Sequence, residues 1–242
     1  MVKGADKESR LLAESTPARI QVGRAGTRPT TDAWLKFRAD HAIARDAVGS
    51  QLSESFIENF VRKNNYSFVQ SKIETREEFV LNPPDGKLLS RESEGQLLKE
   101  VPGNNDVQIV VCDGLSAMAV EANVPDLLPM LLDGLETEGF TCGAPVFVRY
   151  GRVAIADQIG HLLKAKLAVN LIGERPGLSS GVGLSIYMTY NPGPSTISSH
   201  RTVVSNISST GTPPPEAGAY AIHLIKKIFE FKKSGVELQQ LL

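Results

Sequence analysis

After about residue 105 the chain settles into one recurring order: a short apolar run rich in β-branched residues, a glycine with polar neighbours, then a helical stretch. The runs are Val107-Gln108-Ile109-Val110-Val111, Val146 to Tyr150, Leu167 to Ile172, Leu184 to Tyr190, and Thr202 to Ile207. Helical segments follow Asp113, with a restart expected at Asn123 and Pro125, and span about Ala156 to Lys164. Pro213-Pro214-Pro215 opens a last helix, in which Ala217, Tyr220, Ala221, Leu224, Ile228 and Phe231 lie near one stripe and Gly235 is the expected stop. Strands alternating with helices predict an α/β fold, a Rossmann-like, mostly parallel sheet with helices on both faces. Right-handed crossovers then bring the strand-to-helix loops to one carboxyl edge, where such sheets bind ligands.

Ahead of this region the pattern is different. Residues 1–16 are polar and charged apart from Leu11, Leu12 and Ala13, and fraying is expected there. Residues 17–104 read as a smaller, mainly helical N-terminal domain. Thr30, Thr31 or Asp32 can cap a helix carrying Ala33, Trp34, Phe37, Ala42 and Val48, and Gly49-Ser50 stops it. A second helix begins near Ser53 and breaks at Lys63-Asn64-Asn65. Residues 66–80 hold one or two extended pieces, Asn82-Pro83-Pro84-Asp85-Gly86 is a turn, and Leu88 to Val101 is helical. Pro102-Gly103-Asn104-Asn105 marks the boundary with the α/β domain, residues 105–242.

Charge excludes some partners. With 26 basic and 27 acidic side chains and no basic stripe, the chain is a poor nucleic-acid binder. No apolar run reaches the roughly 18 residues of a membrane helix. Cys112 and Cys142 lack metal-ligand spacing and follow no signal-peptide stretch, which predicts a cytoplasmic protein with a buried, structural Cys112.

Three strand ends carry glycine with polar neighbours: Asp113-Gly114-Leu115-Ser116, Gly151-Arg152-Val153 and Gly173-Glu174-Arg175-Pro176-Gly177. They converge at the carboxyl edge, where glycine permits tight turns and the close approach of a flat ligand, and Ser116 can cap the next helix. The same residues serve any strand-to-helix turn, so pattern alone leaves both readings open. Arg149, Arg152 and Arg175 suit either a phosphate or solvent. Gly-x-Gly-x-x-Gly after the first strand and the P-loop are absent, as are His-Glu-x-x-His, a nucleophile elbow and Cys-x-x-Cys. His41, His161, His200 and His223 are scattered, so neither catalytic residues nor a metal site is expected.

Whole segments nevertheless form a specific set. Val111-Cys112-Asp113-Gly114-Leu115-Ser116, Phe147-Val148-Arg149-Tyr150-Gly151-Arg152-Val153, Asp157-Gln158-Ile159-Gly160 and Gly173-Glu174-Arg175-Pro176-Gly177-Leu178 resemble the small subunit of ethanolamine ammonia-lyase. Arg201-Thr202-Val203-Val204-Ser205-Asn206-Ile207 and Gly211-Thr212-Pro213-Pro214-Pro215-Glu216-Ala217 continue the resemblance in order. Gly23 to Pro29 and Phe37 to His41 extend it toward the N terminus, so it covers roughly residues 18–235.

The resemblance implies a hetero-oligomeric lyase in which a large, TIM-type barrel subunit binds ethanolamine while the small subunit holds the lower side of adenosylcobalamin. The radical conversion of ethanolamine to acetaldehyde and ammonia then belongs to the large subunit and the cofactor, and this chain is inactive alone. By motif position Val153, Glu174 and Val203 contact cobalamin, with valine at 203 where related sequences can have cysteine. Glu174 would accept hydrogen bonds from the corrin amides, each worth roughly 1.5–3 kcal/mol if the carboxylate is charged and dry. As a helix N-terminal acid it would contribute less than about 1 kcal/mol. The strand-end argument adds Asp113, Gly114, Leu115 and Ser116 around the nucleotide tail.

Many cobalamin proteins offer histidine to cobalt through Asp-x-His-x-x-Gly. Asp157-Gln158-Ile159-Gly160 lacks it, so dimethylbenzimidazole is expected to stay on cobalt. The family's pathway implies a bacterial microcompartment, although this chain begins close to the motif run, without the longer extension of some relatives. Two competing readings stand beside this one: a non-enzymatic module that binds a nucleotide-like ligand or serves as a scaffold, and a stand-alone small-molecule enzyme.

Overall fold

The computed structural model describes residues 11–12, 15, 20, 22–177 and 181–242. The fraying expected over residues 1–16 falls, apart from Leu11, Leu12 and Ser15, outside the described residues. A minimal hairpin, β1 (Arg24–Ala25) with β2 (Arg28–Pro29), turns at Gly26 and leads into helix α1 (Thr31–Gly49). Thr30 caps α1 by accepting from the Ala33 amide at 3.4 Å. Ser53 caps α2 (Glu54–Phe56), which continues as a π-helical turn over Ile57–Arg62.

The centre is a six-stranded sheet in the order β3-β5-β4-β6-β7-β8, formed by β3 (Ser67–Gln70), β4 (Val107–Cys112), β5 (Val146–Arg149), β6 (Leu167–Gly173), β7 (Leu184–Tyr190) and β8 (Arg201–Ile207). The first four in this order run parallel, while β7 is antiparallel to β6 and β8 to β7. Every residue of β4 and β6 is buried, as expected for strands covered on both faces. Strand β3 comes from the extended stretch after residue 66, so the sequence ahead of residue 105 supplies an edge strand as well as helices.

One face of the sheet lies under α5 (Ala117–Thr137) and α7 (Pro214–Phe231); α3 (Arg76–Leu81), α4 (Arg91–Glu100) and α6 (Ile155–Leu162) complete the longer helices before α7. The opposite face packs on α4 and α6 through Val69, Leu97, Val110, Val148, Ile155 and Ile159.

The restart expected at Asn123 and Pro125 does not occur, for α5 runs unbroken through Pro125 and Pro129. Each internal proline costs about 3 kcal/mol. Val120, Val124, Leu127, Leu128, Leu131 and Leu135 are all fully buried. Each of those side chains contributes roughly 1.5–3 kcal/mol, so burial outweighs the breaks. Asn123 also donates to the carbonyls of Ala119 and Val182, tying the weakened turn to the loop after β6. Gly235 is not the stop of α7 either. Lys232, at φ 52°, ends that helix, and Gly235 opens α8 (Gly235–Gln239), where a Cβ would stand 1.9 Å from the Ser199 carbonyl oxygen.

The carboxyl ends of β4 and β6 meet at two glycines. Gly114 has φ +57°, and a Cβ on it would lie 2.1 Å from the Gly173 carbonyl oxygen. A Cβ on Gly173 would in turn lie 2.0 Å from the Ser116 carbonyl oxygen. Gly114→Ala should therefore cost about 3–5 kcal/mol, adding left-handed strain to backbone overpacking. Gly95→Ala on α4, with nothing within 4 Å of the added carbon, should stabilise by about 0.5–1 kcal/mol. Urea midpoints of the two variants should move in opposite directions.

Candidate functional site

Loops from β4, β5 and β6 converge at the carboxyl edge, and Asp113 joins two of them. Its Oδ1 accepts from the Gly151 amide at 3.2 Å, and its Oδ2 lies 3.9 Å from Nη1 of Arg76. Arg76 reaches in from α3, donating to the carbonyls of Gly114 and Val48 at 2.8 and 2.7 Å. Ser116 caps α5 by accepting from the Ala119 amide and donates to the Gly181 carbonyl at 2.6 Å. Leu115 packs against Ile73, Phe79 and Tyr150. Asp113, Gly114, Leu115 and Ser116 are thus gathered into the turn that abuts Gly173, immediately before Glu174.

The other three sequence-derived positions share a different surface. Residues directly opposed across a ladder point to the same face. Asn170 of β6 opposes Tyr187 of β7, which opposes Val203 of β8. Asn170 donates through Nδ2 to the Val153 carbonyl at 3.1 Å, and the Tyr187 hydroxyl donates to Oε1 of Glu174 at 2.7 Å. Val153, Glu174 and Val203, far apart in sequence, are thereby linked by two residues that face each other. Val203 is 44% exposed, while Val153 and Glu174 are half-buried. Beneath them, Asn170 Oδ1 and Ser185 Oγ are buried without a hydrogen-bond partner among the described residues.

A buried ion pair borders this surface. Arg201 at the start of β8 donates through Nη2 and Nε to Oδ2 of Asp157 on α6, at 2.6 and 3.2 Å. It fastens the edge of the sheet to the helix that begins after Val153. Removing one partner of such a pair typically costs about 3–5 kcal/mol.

The three arginines of the sequence analysis do not converge. Arg149 pairs with Glu54 at 3.5 Å, Arg152 donates to the Phe79 carbonyl at 2.6 Å and lies over its ring, and Arg175 is exposed. Cys112 is fully buried, as expected, and burial holds its thiol well above the ordinary range; burial also pushes Cys142 up to about 12. Neither is a thiolate at neutral pH. No cluster of His, Cys, Asp or Glu able to hold a metal occurs among the described residues, and no helix among them is long and apolar enough to cross a membrane.

Sequence reasoning missed Asn170, Tyr187, Ser185 and the Asp157–Arg201 pair. Asn170 carried a signal, being the one polar side chain inside the run Leu167 to Ile172. A buried amide there requires a partner.

Burial pushes the Asp113 carboxyl from 3.8 up to about 6, against hydrogen bonds from Tyr150, Gly151 and Gly114 and the charge of Arg76. The folded value exceeds the unfolded one, so the stability Asp113 contributes is full below about pH 3.8 and is lost as pH rises through about 6. The shift is worth about 3 kcal/mol. The stability of the chain relative to Asp113→Asn should fall by about that amount between pH 4 and pH 7, read from urea unfolding of both proteins.

Residues 6–239 match the family described as ethanolamine ammonia-lyase light chain. The ethanolamine ammonia-lyase small subunit of Fusobacterium nucleatum is 43% identical over 240 residues, covering 98% of this chain and 80% of that protein. The small subunit of the same name from Clostridium acetobutylicum is 42% identical over 234 residues, covering 97% and 95%. With the family matched over nearly its whole length, the chain belongs to the small, or light-chain, subunits of ethanolamine ammonia-lyase.

Proposed function

We propose that this chain is the cobalamin-holding half of an ethanolamine ammonia-lyase, meeting the lower side of adenosylcobalamin at an interface with a large subunit that binds ethanolamine. The observation that carries this reading is the linkage of Val153, Glu174 and Val203 through Asn170 and Tyr187, which face each other across neighbouring strands. The chemistry of the face suits such a ligand. Exposed Val203 offers apolar contact to a flat macrocycle, and the Glu174 carboxylate is held by Tyr187, the residue opposite Val203.

Glu174 would accept amide N–H donors from the corrin rim, Val153 and Val203 would pack against it, and Asp113 to Ser116 would fix the edge on the side of the nucleotide tail. When bound, the cofactor supplies homolytic cobalt–carbon chemistry; the protein contributes position and exclusion of side reactions. The segment Asp157-Gln158-Ile159-Gly160, with Asp157 tied to Arg201 and Ile159 buried in the core, contains no histidine that could replace dimethylbenzimidazole, so a bound cofactor would keep its own base. Valine at 203 keeps van der Waals contact where a cysteine in relatives would add sulfur. With the activity goes residence in the cytoplasm, inside a bacterial microcompartment.

Helix α1 supports the partner. Of its 19 residues only Ala47 is buried, while Trp34, Leu35 and Ile43 are exposed on more than one side. Most helical stability in proteins comes from tertiary packing of an apolar face, which this helix almost lacks within the described chain. Val22, Pro29, Ala33, Trp34 and Phe37 also line a groove of about 280 Å³. We assign this surface to the large subunit, and Trp34→Asp should reduce recovery of the co-expressed complex at least severalfold, with the sheet domain still folded by circular dichroism.

The functional test is titration of adenosylcobalamin into each subunit and into the pair, followed by visible absorption. A signal that requires both chains, together with acetaldehyde formation, is the expected result. A signal from this chain alone, without activity in the pair, would favour a binding module. Val153→Asp should weaken cofactor affinity at least tenfold by placing a carboxylate against an apolar face; unchanged affinity removes Val153 from the site.

A further inference from the structure

We infer that Tyr187 is a positioning residue for the cofactor contact of this subunit: its hydroxyl holds one oxygen of Glu174 and leaves the other to accept an amide N–H from the ligand. The inference rests on the cobalamin reading above and goes beyond it by naming what fixes the contact.

Glu174 is the first residue past β6, in a loop. Its backbone is anchored, donating to the Gly183 carbonyl at 2.9 Å, while the residue before it accepts from the Leu115 amide at 2.9 Å. The side chain has three rotatable bonds beyond that anchor and no ion pair among the described residues. Its one recorded side-chain bond is the 2.7 Å contact from Tyr187. Without that contact the carboxylate would sample several rotamers, and a ligand amide would have to order it on binding.

Tyr187 is well suited to impose this order. It lies on a strand paired on both sides, opposite Asn170 and Val203, and its ring packs against the cluster that includes Ile155 and Ile172. A tyrosine has only two side-chain torsions, so the hydroxyl position follows closely from the sheet. Burial, then the neighbouring Glu174, raises its phenol above the ordinary value, which keeps the proton on the donor through the working pH range. Asn170, opposite it, holds the Val153 carbonyl in the same way. The cross-strand pair therefore sets two contact positions from beneath, and Val203 extends the same row as a third.

The test uses the co-expressed two-subunit enzyme, with adenosylcobalamin affinity measured by visible titration. Tyr187→Phe keeps the ring and removes only the hydroxyl; affinity should fall about tenfold. Glu174→Gln should fall by at least as much, and the double variant should be no weaker than Glu174→Gln alone, because both changes remove one coupled contact. A second probe is a cobalamin in which one rim amide is hydrolysed to a carboxylate. Rejection of this analogue relative to adenosylcobalamin should relax in Tyr187→Phe.

Affinity within twofold of wild type for Tyr187→Phe, while Glu174→Gln is weakened, overturns the positioning role and leaves the cobalamin reading intact. Additive losses in the double variant overturn it too, since the hydroxyl would then act independently of Glu174. Unchanged affinity in Glu174→Gln removes the cobalamin contact itself. Glu174→Asp tests the role with Tyr187 untouched and covers the case in which Tyr187→Phe fails to assemble. Shortening by one methylene should be as damaging as Glu174→Gln if position matters, and an affinity equal to wild type would overturn the inference.

Discussion

The contact between Gly114 and Gly173 governs the rest of the molecule. It brings the carboxyl ends of β4 and β6 so close that neither position has room for a side chain. From one side of this contact the chain enters α5, capped by Ser116; from the other it leaves as Glu174. The cap and the acid are therefore set by one backbone approach. Asp113 extends the constraint to β5 by accepting from the Gly151 amide, at the cost of burying a carboxyl whose affinity for its proton rises.

Uneven cover explains why one part of the sheet is open. Helices follow β4 and β5, and the strands they connect are parallel and buried. Among the described residues no helix lies between β6 and β7, and a short 3₁₀ turn, Ser198–His200, lies between β7 and β8. Those strands reverse direction instead of crossing over, so neither connection requires a covering helix. On the other side α7 still packs on Ile186, Val204 and Ile207. The result is a strand pair with one closed apolar face and one face that displays Tyr187 and Val203.

Much of this architecture is legible in the sequence, for identifiable reasons. Strands β4, β7 and β8 announce themselves within a residue at either end, because short β-branched runs bounded by turn residues have few alternatives. The continuity of α5 is not legible, since it depends on tertiary burial that outweighs two prolines. Strand β3 is legible as an extended piece within residues 66–80, but its place in the sheet is not, because that comes from pairing with β5, far along the chain. For the site, motif likeness identifies Val153, Glu174 and Val203 individually but says nothing of their connection. That connection is a matter of register: shifting β7 by one residue would turn Tyr187 to the opposite face and separate all three.

Register also explains the cost the protein accepts in its interior. Asn170 and Ser185 leave polar atoms unpaired inside a sheet that otherwise follows the rule of satisfied burial, and each such atom typically costs about 1–3 kcal/mol. Apolar residues at both positions would give a more stable chain. They would also remove the donor to the Val153 carbonyl and the polar flank of Tyr187, so the loop after β5 and the acid after β6 would lose their common reference. The ion pair of Asp157 with Arg201 fastens α6 to the edge strand across the boundary between covered and open sheet. A hydrophobic pair could fill that space, but it would not fasten α6 to β8 by two directed bonds.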